Sequence, residues 1–360
     1  MRYVEAGGVR LSAIGVGTWQ FGSKEWGYGP DYADTTARAI VNRALDLGVN
    51  LIDTAEIYGL GQSEHIVGAA IAGRREQAFV ATKLFPVAPV SPVVEWRAVE
   101  SAARLGVTRI DLYQVHWPNP FFPVAPTMAA MGKLQRIGLV NQVGVSNFNL
   151  LQWRLAERKL GAPVLSNQVQ YSLVARKPDQ ELVPYAQAND RVIIAYSPLG
   201  QGLLGGRYDL DHPAPPGVRS NNPLFLLENL ERADSLLTAV REIASAHGAT
   251  PAQVALAWVI RRPNVVAIPG ASSVAQLEAN IAAADLDLTE DEDARLTAES
   301  DAFRPMRGMA ALPGMVQARR ARRQAAAEAE AESEAESESE SESESTDWVA
   351  TTHDGGPGSP

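Results

Sequence analysis

The 360-residue chain contains no cysteine, which excludes disulfides, thiolate metal sites and a cysteine nucleophile. Histidine is scarce too. The five, at 65, 116, 212, 247 and 353, never fall at the spacing with which two imidazoles share a metal on one helix. No apolar run approaches the roughly 18 residues of a membrane span. The N-terminus, "MRYVEAGGVRLSAIGVG", lacks the apolar core of a secretory signal. These absences describe a soluble, cytoplasmic protein with no membrane partner.

Cations are missing from one region in particular. From Gln324 onward there are nine Glu and two Asp and no Lys or Arg. Those acids account for the whole of the formal net charge of −10, so residues 1–323 stand near +1. A nearly neutral body offers no nucleic-acid surface. The segment 328–360, which opens on "EAEAESEAESESESESESTD", has too few large apolar groups to offset its ordering entropy and is expected to be disordered. Before it lies "RRARR" (319–323), read as the end of a basic helical extension over 313–327. The body is then 1–312.

What is present is a regular alternation. Eight short apolar runs recur at "SAIGVGT" (12–18), "VNLIDT" (49–54), "AFVATK" (78–83), "IDLYQVHW" (110–117), "LVNQVGVS" (139–146), "VLSNQVQ" (164–170), "VIIAYSP" (192–198) and "VVAIPG" (265–270). Amphipathic stretches lie between them, such as 34–48, 91–106 and 148–161, several ending at Gly as helices do. "SPVVEW" offers Ser91 as an N-cap with Pro92 at the first helical position. Eight βα units predict a parallel sheet closed into a (β/α)8 barrel, the TIM-barrel fold, after an N-terminal hairpin. An open doubly wound sheet is the alternative. It would want a G-x-G-x-x-G turn, which "GLGQSEHIVG" lacks and "GQGLLGG" (200–206) supplies only loosely. The long seventh interval predicts an extra helix over 226–248 besides the one at 250–262, and another extra helix follows the eighth strand at 288–303.

In such a barrel the chemistry sits at the C-terminal ends of the strands. Asp53 ends the second, with Tyr58 five residues on, Lys83 ends the third and His116 the fourth. Singly, each has a bland reading as a strand cap, a snorkelling amine or a core imidazole. Together they make a proton-transfer set. A free phenol titrates near about 10, and an adjacent ammonium pulls it down by about one to three units. Lys83 is placed to do this, Asp53 to neutralise Lys83, and His116 to hydrogen-bond a carbonyl oxygen. The set lacks an electron source. A metal-dependent barrel hydrolase fails because His116 has no histidine partner at any strand end.

"DTAEIYGLGQSE", "FVATK", "DLYQVHWP", "VGVSNF", "NQVQYS", "AYSPLGQGLL" and "IPGAS" follow one another in the order and spacing of the aldo-keto reductase family, which the chain resembles from "GVGTWQFG" to about residue 300. The resemblance implies a (β/α)8 barrel that binds a nicotinamide cofactor without a Rossmann fold and reduces carbonyls. It makes Tyr58 the general acid, Lys83 and Asp53 its tuning pair, and His116 the group that orients the substrate. It assigns Ser146, Asn147 and Gln168 to the cofactor's carboxamide and Tyr196 to a stack on the nicotinamide. Ser197, Pro198, Leu199, Gln201, Gly202 and Leu203 fall to the pyrophosphate. Gly270, Ser272, Gln276 and Asn280 fall to the adenosine end. Gly17, Thr18 and Trp19 close the site.

One departure concerns the cofactor. Relatives often carry a cation just after "IP" to grip the 2′-phosphate of NADPH, whereas residues 270–273 read Gly-Ala-Ser-Ser. NADPH is favoured over NADH on family grounds alone. Trp19, Phe21, Trp26, Tyr28, Phe85, Trp117, Phe121 and Phe122 fall on loops at this end and predict an aromatic wall for a hydrophobic aldehyde or ketone. The alternative function is a cofactor-binding, weakly catalytic barrel that regulates a protein partner. A monomer or weak oligomer is expected.

Overall fold

The computed structural model describes residues 1–22, 32–212, 218–320 and 324. Two short strands, β1 (Tyr3–Ala6) and β2 (Val9–Ser12), pair antiparallel as the expected hairpin. Eight parallel strands follow in strict sequence order: β3 (Val16–Gly17), β4 (Leu51–Asp53), β5 (Phe79–Leu84), β6 (Ile110–Val115), β7 (Val140–Ser146), β8 (Ser166–Gln170), β9 (Val192–Tyr196) and β10 (Val265–Ala267). The sheet closes on itself. Ile14 bridges Ala267 in parallel, Gly15 N–H donates to Ala267 O at 2.8 Å and Ala267 N–H to Ala13 O at 2.9 Å. The predicted (β/α)8 barrel is therefore what forms, and the open sheet is excluded.

Each interval carries a helix: α1 (Ala37–Asp46), α2 (Gln62–Ile71), α3 (Ser91–Leu105), α4 (Val124–Arg136), α5 (Leu150–Leu160) and α6 (Pro178–Ala188). The seventh interval holds two, α7 (Leu227–Ala246) and α8 (Pro251–Ile260). α9 (Val274–Ala282) and α10 (Glu290–Ala302) follow β10. α8 packs on β10 as the barrel helix, so α7 is the insertion, lying on α8 and α10. Local chemistry explains the starts. Thr250 and Thr289 each complete a capping box with the residue three positions on, Gln253 and Glu292. Ser91 departs from expectation: Val90 is the N-cap, Pro92 sits one residue into the helix, and the Ser91 hydroxyl donates to Glu95 at 2.5 Å. With a nearby carboxylate to bind, the serine is drawn into the first turn.

The core has two parts, and their arrangement positions the site. The larger lies between strands and helices. The smaller fills the barrel itself, with Leu51, Leu112, Leu165, Ile194 and Val266 stacked on Leu11 from the hairpin. The hairpin thus plugs the N-terminal mouth with apolar atoms, and polar side chains collect at the other end. Residues 312–320 are helical. Residues 321–323, 325–327 and the acidic segment 328–360 lie outside the described residues. Among the described residues no helix is long and apolar enough to cross a membrane, and no group of three acids or histidines could hold a metal.

Candidate active site

The C-terminal ends of the strands surround a cavity of about 830 Å3, at the upper end of the range for ligand pockets. Lys83, fully buried on β5, lies beneath its floor. The ammonium spends its three protons on Asp53 Oδ2 at 2.6 Å, Thr54 O at 2.8 Å and the Tyr58 hydroxyl at 3.2 Å. The other carboxylate oxygen, Asp53 Oδ1, accepts from Gln168 Nε2 at 2.7 Å. A buried ion pair survives only when its remaining hydrogen-bonding groups are satisfied, and here both partners are. Tyr58 reaches the same point from the loop after β4 and meets the His116 ring edge-on at a centroid distance of 5.8 Å. The structure therefore brings together the four residues that the sequence singles out, Asp53, Tyr58, Lys83 and His116.

Their electrostatics correct one expectation. Burial raises the Tyr58 phenol above its ordinary range, and the opposing pull of Lys83 offsets this only in part. Desolvation beats the single cation because that cation is already shared with Asp53. Tyr58 is thus a neutral phenol at pH 7, a proton donor rather than a phenolate. Burial likewise raises Asp53, against Lys83 and its amide donors, while Lys83 is held up by Asp53 and Tyr58 against its own desolvation. For His116, burial and the adjacent Lys83 push the imidazole down to about 3. It is neutral at physiological pH and suited to hydrogen bonding rather than to carrying charge.

Around this centre the polar residues form a chain. Asn147 Nδ2 donates to Ser146 Oγ at 3.1 Å, Ser146 Oγ donates to Gln168 O at 2.8 Å, and Tyr196 OH donates to Asn147 Oδ1 at 3.0 Å. Asn147, Ser197 and Gln201 all adopt left-handed backbone, with φ of 60°, 48° and 57°, a concentration of strain typical of binding sites. Gly17 allows β3 to approach β10, since a Cβ there would lie 2.7 Å from Ile268 O. Next to it, buried Thr18 ties β3 to β4 through Asp53 O, at 2.8 Å from its hydroxyl. At the far end Ser272 donates through both N–H and Oγ to Gln276 Oε1, at 2.7 and 2.9 Å.

Most sequence-predicted positions line this cavity: Gly17, Thr18, Trp19, Ser146, Asn147, Gln168 and Tyr196, then Ser197, Pro198, Leu199, Gln201 and Gly202, then Gly270, Ser272 and Gln276. Two do not. Leu203 is turned into the outer core. Asn280 is buried and acts from behind, donating to Gly270 O at 3.3 Å. The aromatic wall is thinner than expected. Trp19 and Trp117 line the cavity, and Phe85 supports Trp117 edge-on at 5.0 Å. Phe21 is fully buried against Tyr32, Phe121 is 89% exposed, and Phe122 lines a separate, smaller cavity. Trp26 and Tyr28 lie outside the described residues.

The insertion after β9 adds what the strand pattern could not show. Arg219 and Asn222 line the cavity, and both hold Gln201: Arg219 Nε donates to its carbonyl at 2.8 Å and Asn222 Nδ2 to its side chain at 3.0 Å. Arg219 is thus a cation at the cavity wall, whereas residues 270–273 supply none. Charge alone would have narrowed the choice to Arg207 and Arg219 within the insertion.

The family model described as "Aldo/keto reductase family" matches residues 13–300. An uncharacterized oxidoreductase of Mycobacterium tuberculosis is 52% identical over 324 residues, covering 90% of this chain and all of the relative. An NADH-specific methylglyoxal reductase of Escherichia coli is 32% identical over 81% of this chain and 95% of its own length. A crystal structure of an aldo-keto reductase from Klebsiella pneumoniae in complex with NADPH superposes with a TM-score of 0.68 at 29% identity, over 86% of this chain and 98% of that one.

Proposed function

The chain belongs to the aldo/keto reductase family, and from that premise we propose that it reduces aldehydes or ketones to alcohols with NADPH, using Tyr58 as the proton donor. The observation that carries this reading is the three-way contact of Lys83 Nζ with Asp53, Thr54 and Tyr58 in the cavity floor. When bound, the nicotinamide supplies the hydride. The residues present fit such a group. Asn147 and Gln168 offer amide functions, and Ser146 a hydroxyl, of the kind that match a carboxamide. Tyr196 presents a ring on the same wall. The glycine-bearing segment 197–202 allows close backbone approach. Arg219 offers a charged donor for phosphate.

His116, neutral, holds the carbonyl oxygen of the substrate at the Tyr58 hydroxyl. Tyr58 transfers its proton to that oxygen as charge develops there, and Lys83 stabilises the phenolate left behind. Asp53 moves no proton; it keeps the lysine charged. Trp19 and Trp117 form the apolar side of the substrate site and exclude water. The assay is oxidation of NADPH with 4-nitrobenzaldehyde. Turnover supports the reading, while tight cofactor binding without turnover across aromatic aldehydes and small dicarbonyls would replace it with a regulatory barrel.

The cofactor choice has its own test. By fluorescence titration the wild type is expected to bind NADPH more tightly than NADH. Arg219→Ala is expected to weaken NADPH by about tenfold or more, the value of one charge-assisted hydrogen bond. Equal wild-type affinities would overturn the preference.

A further inference from the structure

Between Asp53 and Tyr58 the loop carries one more charged residue, Glu56, which takes no part in the proton transfer and does not line the cavity. β5 ends at Leu84, and Phe85 falls just beyond the ladder, so its peptide needs other partners. Glu56 Oε1 accepts the Phe85 N–H. Arg97, on α3, donates through Nη1 to the Phe85 carbonyl at 2.8 Å and to Glu56 Oε1 at 2.9 Å. Carboxylate and guanidinium thus clasp one peptide from both ends. Their side chains are only 12% and 21% exposed, so the pair is not one of the screened surface contacts that contribute little. The Phe85 ring meets Trp117 edge-on at 5.0 Å, and Trp117 packs on His116 at 4.5 Å. Trp117 lines the active-site cavity. On the far side the two loops are hollow: Pro86 and Pro118, the next residue of each, line the separate cavity of about 150 Å3. Packing from behind therefore does not fix the two rings. Asn119 joins the loops to each other, donating to Pro86 O at 2.7 Å. Glu56 joins them to the loop that carries Ile57 and Tyr58, both of which line the active-site cavity.

We propose that Glu56 is a positioning residue that determines specificity: with Arg97 it holds the Phe85–Trp117 wall against the loop of Tyr58, and so favours carbonyl substrates that bear an aromatic ring. The inference rests on the reading of Tyr58 as the proton donor in this cavity. Glu56 acts through the backbone of Phe85 and touches no reacting atom. Opening the clasp leaves Asp53, Lys83 and Tyr58 in place, since their mutual contacts do not pass through it. It frees Phe85 to shift toward the hollow side, and Trp117 loses its edge-on support. A substrate with a ring then loses a wall to pack on, while a small carbonyl that does not reach the wall loses little.

The test measures kcat/KM in the full chain with NADPH for 4-nitrobenzaldehyde and for methylglyoxal, a dicarbonyl without a ring. The variants are Glu56→Ala, Glu56→Gln, Phe85→Leu and the double variant Glu56→Ala with Phe85→Leu. Glu56→Ala is expected to lower the ratio of the two efficiencies, aromatic over dicarbonyl, by about three- to tenfold, the size of one aromatic contact. The change falls chiefly on KM for the aromatic aldehyde, with NADPH affinity by fluorescence quenching unchanged. Glu56→Gln keeps an acceptor for the Phe85 N–H and recovers most of the ratio. Phe85→Leu lowers the ratio as Glu56→Ala does, and the double variant lowers it no further, because the two changes lie on one path. An unchanged ratio in Glu56→Ala, an equal fall for both substrates, or effects that add in the double variant would overturn the proposal. If Glu56→Ala does not fold, Arg97→Met carries the same expectation and the same overturning results. A wild type that reduces neither substrate refutes the reading of the reaction, and this inference with it. A wild type that reduces both while Glu56→Ala keeps the wild-type ratio refutes the role of Glu56 alone.

Discussion

Tyr58→Phe is expected to lower kcat for aldehyde reduction by about 10²–10⁴-fold, the usual worth of a positioned general acid, and to leave NADPH affinity and the urea midpoint nearly unchanged. The substitution removes one oxygen and keeps the ring, so the edge-on contact with His116 survives. Lys83 loses only its longest contact, at 3.2 Å, and retains Asp53 and Thr54. The effect should fall on kcat and kcat/KM alike, because the hydroxyl acts where charge develops rather than where substrate is first held. A variant with raised KM and intact kcat would instead make Tyr58 a binding residue.

Lys83→Met should damage both the fold and the reaction. It leaves the Asp53 carboxylate buried with the Gln168 amide as its remaining side-chain donor, and removing one member of a buried pair costs about 3–5 kcal/mol. The pH dependence gives the claim a sign. Lys83 is the largest influence holding the Asp53 carboxyl down against desolvation, so in the variant that carboxyl is raised further. A carboxyl whose folded value lies above its unfolded value costs stability when ionised and relieves it when protonated. The deficit in urea midpoint relative to wild type should therefore be largest at neutral pH and shrink as the pH falls through the raised Asp53 range. A deficit independent of pH would mean that the loss is one of packing, not of charge pairing.

The barrel was legible because its periodicity is strong. Eight apolar runs alternating with amphipathic stretches mark a parallel sheet, the count of eight favours closure, and Thr250 and Thr289 mark their helices by side-chain chemistry that acts within three residues. The clustering of the candidate site was legible for the same reason: Asp53, Lys83 and His116 stand at or beside the point where a strand stops. What the sequence did not show depends on the third dimension. Arg219 reaches the cavity from an insertion with no strand to place it. Leu203 and Phe21 carry the residue types of a binding wall but are turned inward by packing. The direction of the Tyr58 shift is a balance between burial and a cation already shared with Asp53, and neither burial nor sharing is written in a motif.

The central claim is that a nicotinamide hydride passes directly to a carbonyl carbon in this cavity while Tyr58 supplies the proton. The most direct measurement uses NADPH deuterated at the transferred C4 position, with 4-nitrobenzaldehyde, and analyses the alcohol by NMR. The account predicts one deuterium on the carbinol carbon for each cofactor oxidised with wild type, and almost none formed in the same time with Tyr58→Phe. Alcohol lacking the label, or label transferred equally well by the two proteins, would contradict it.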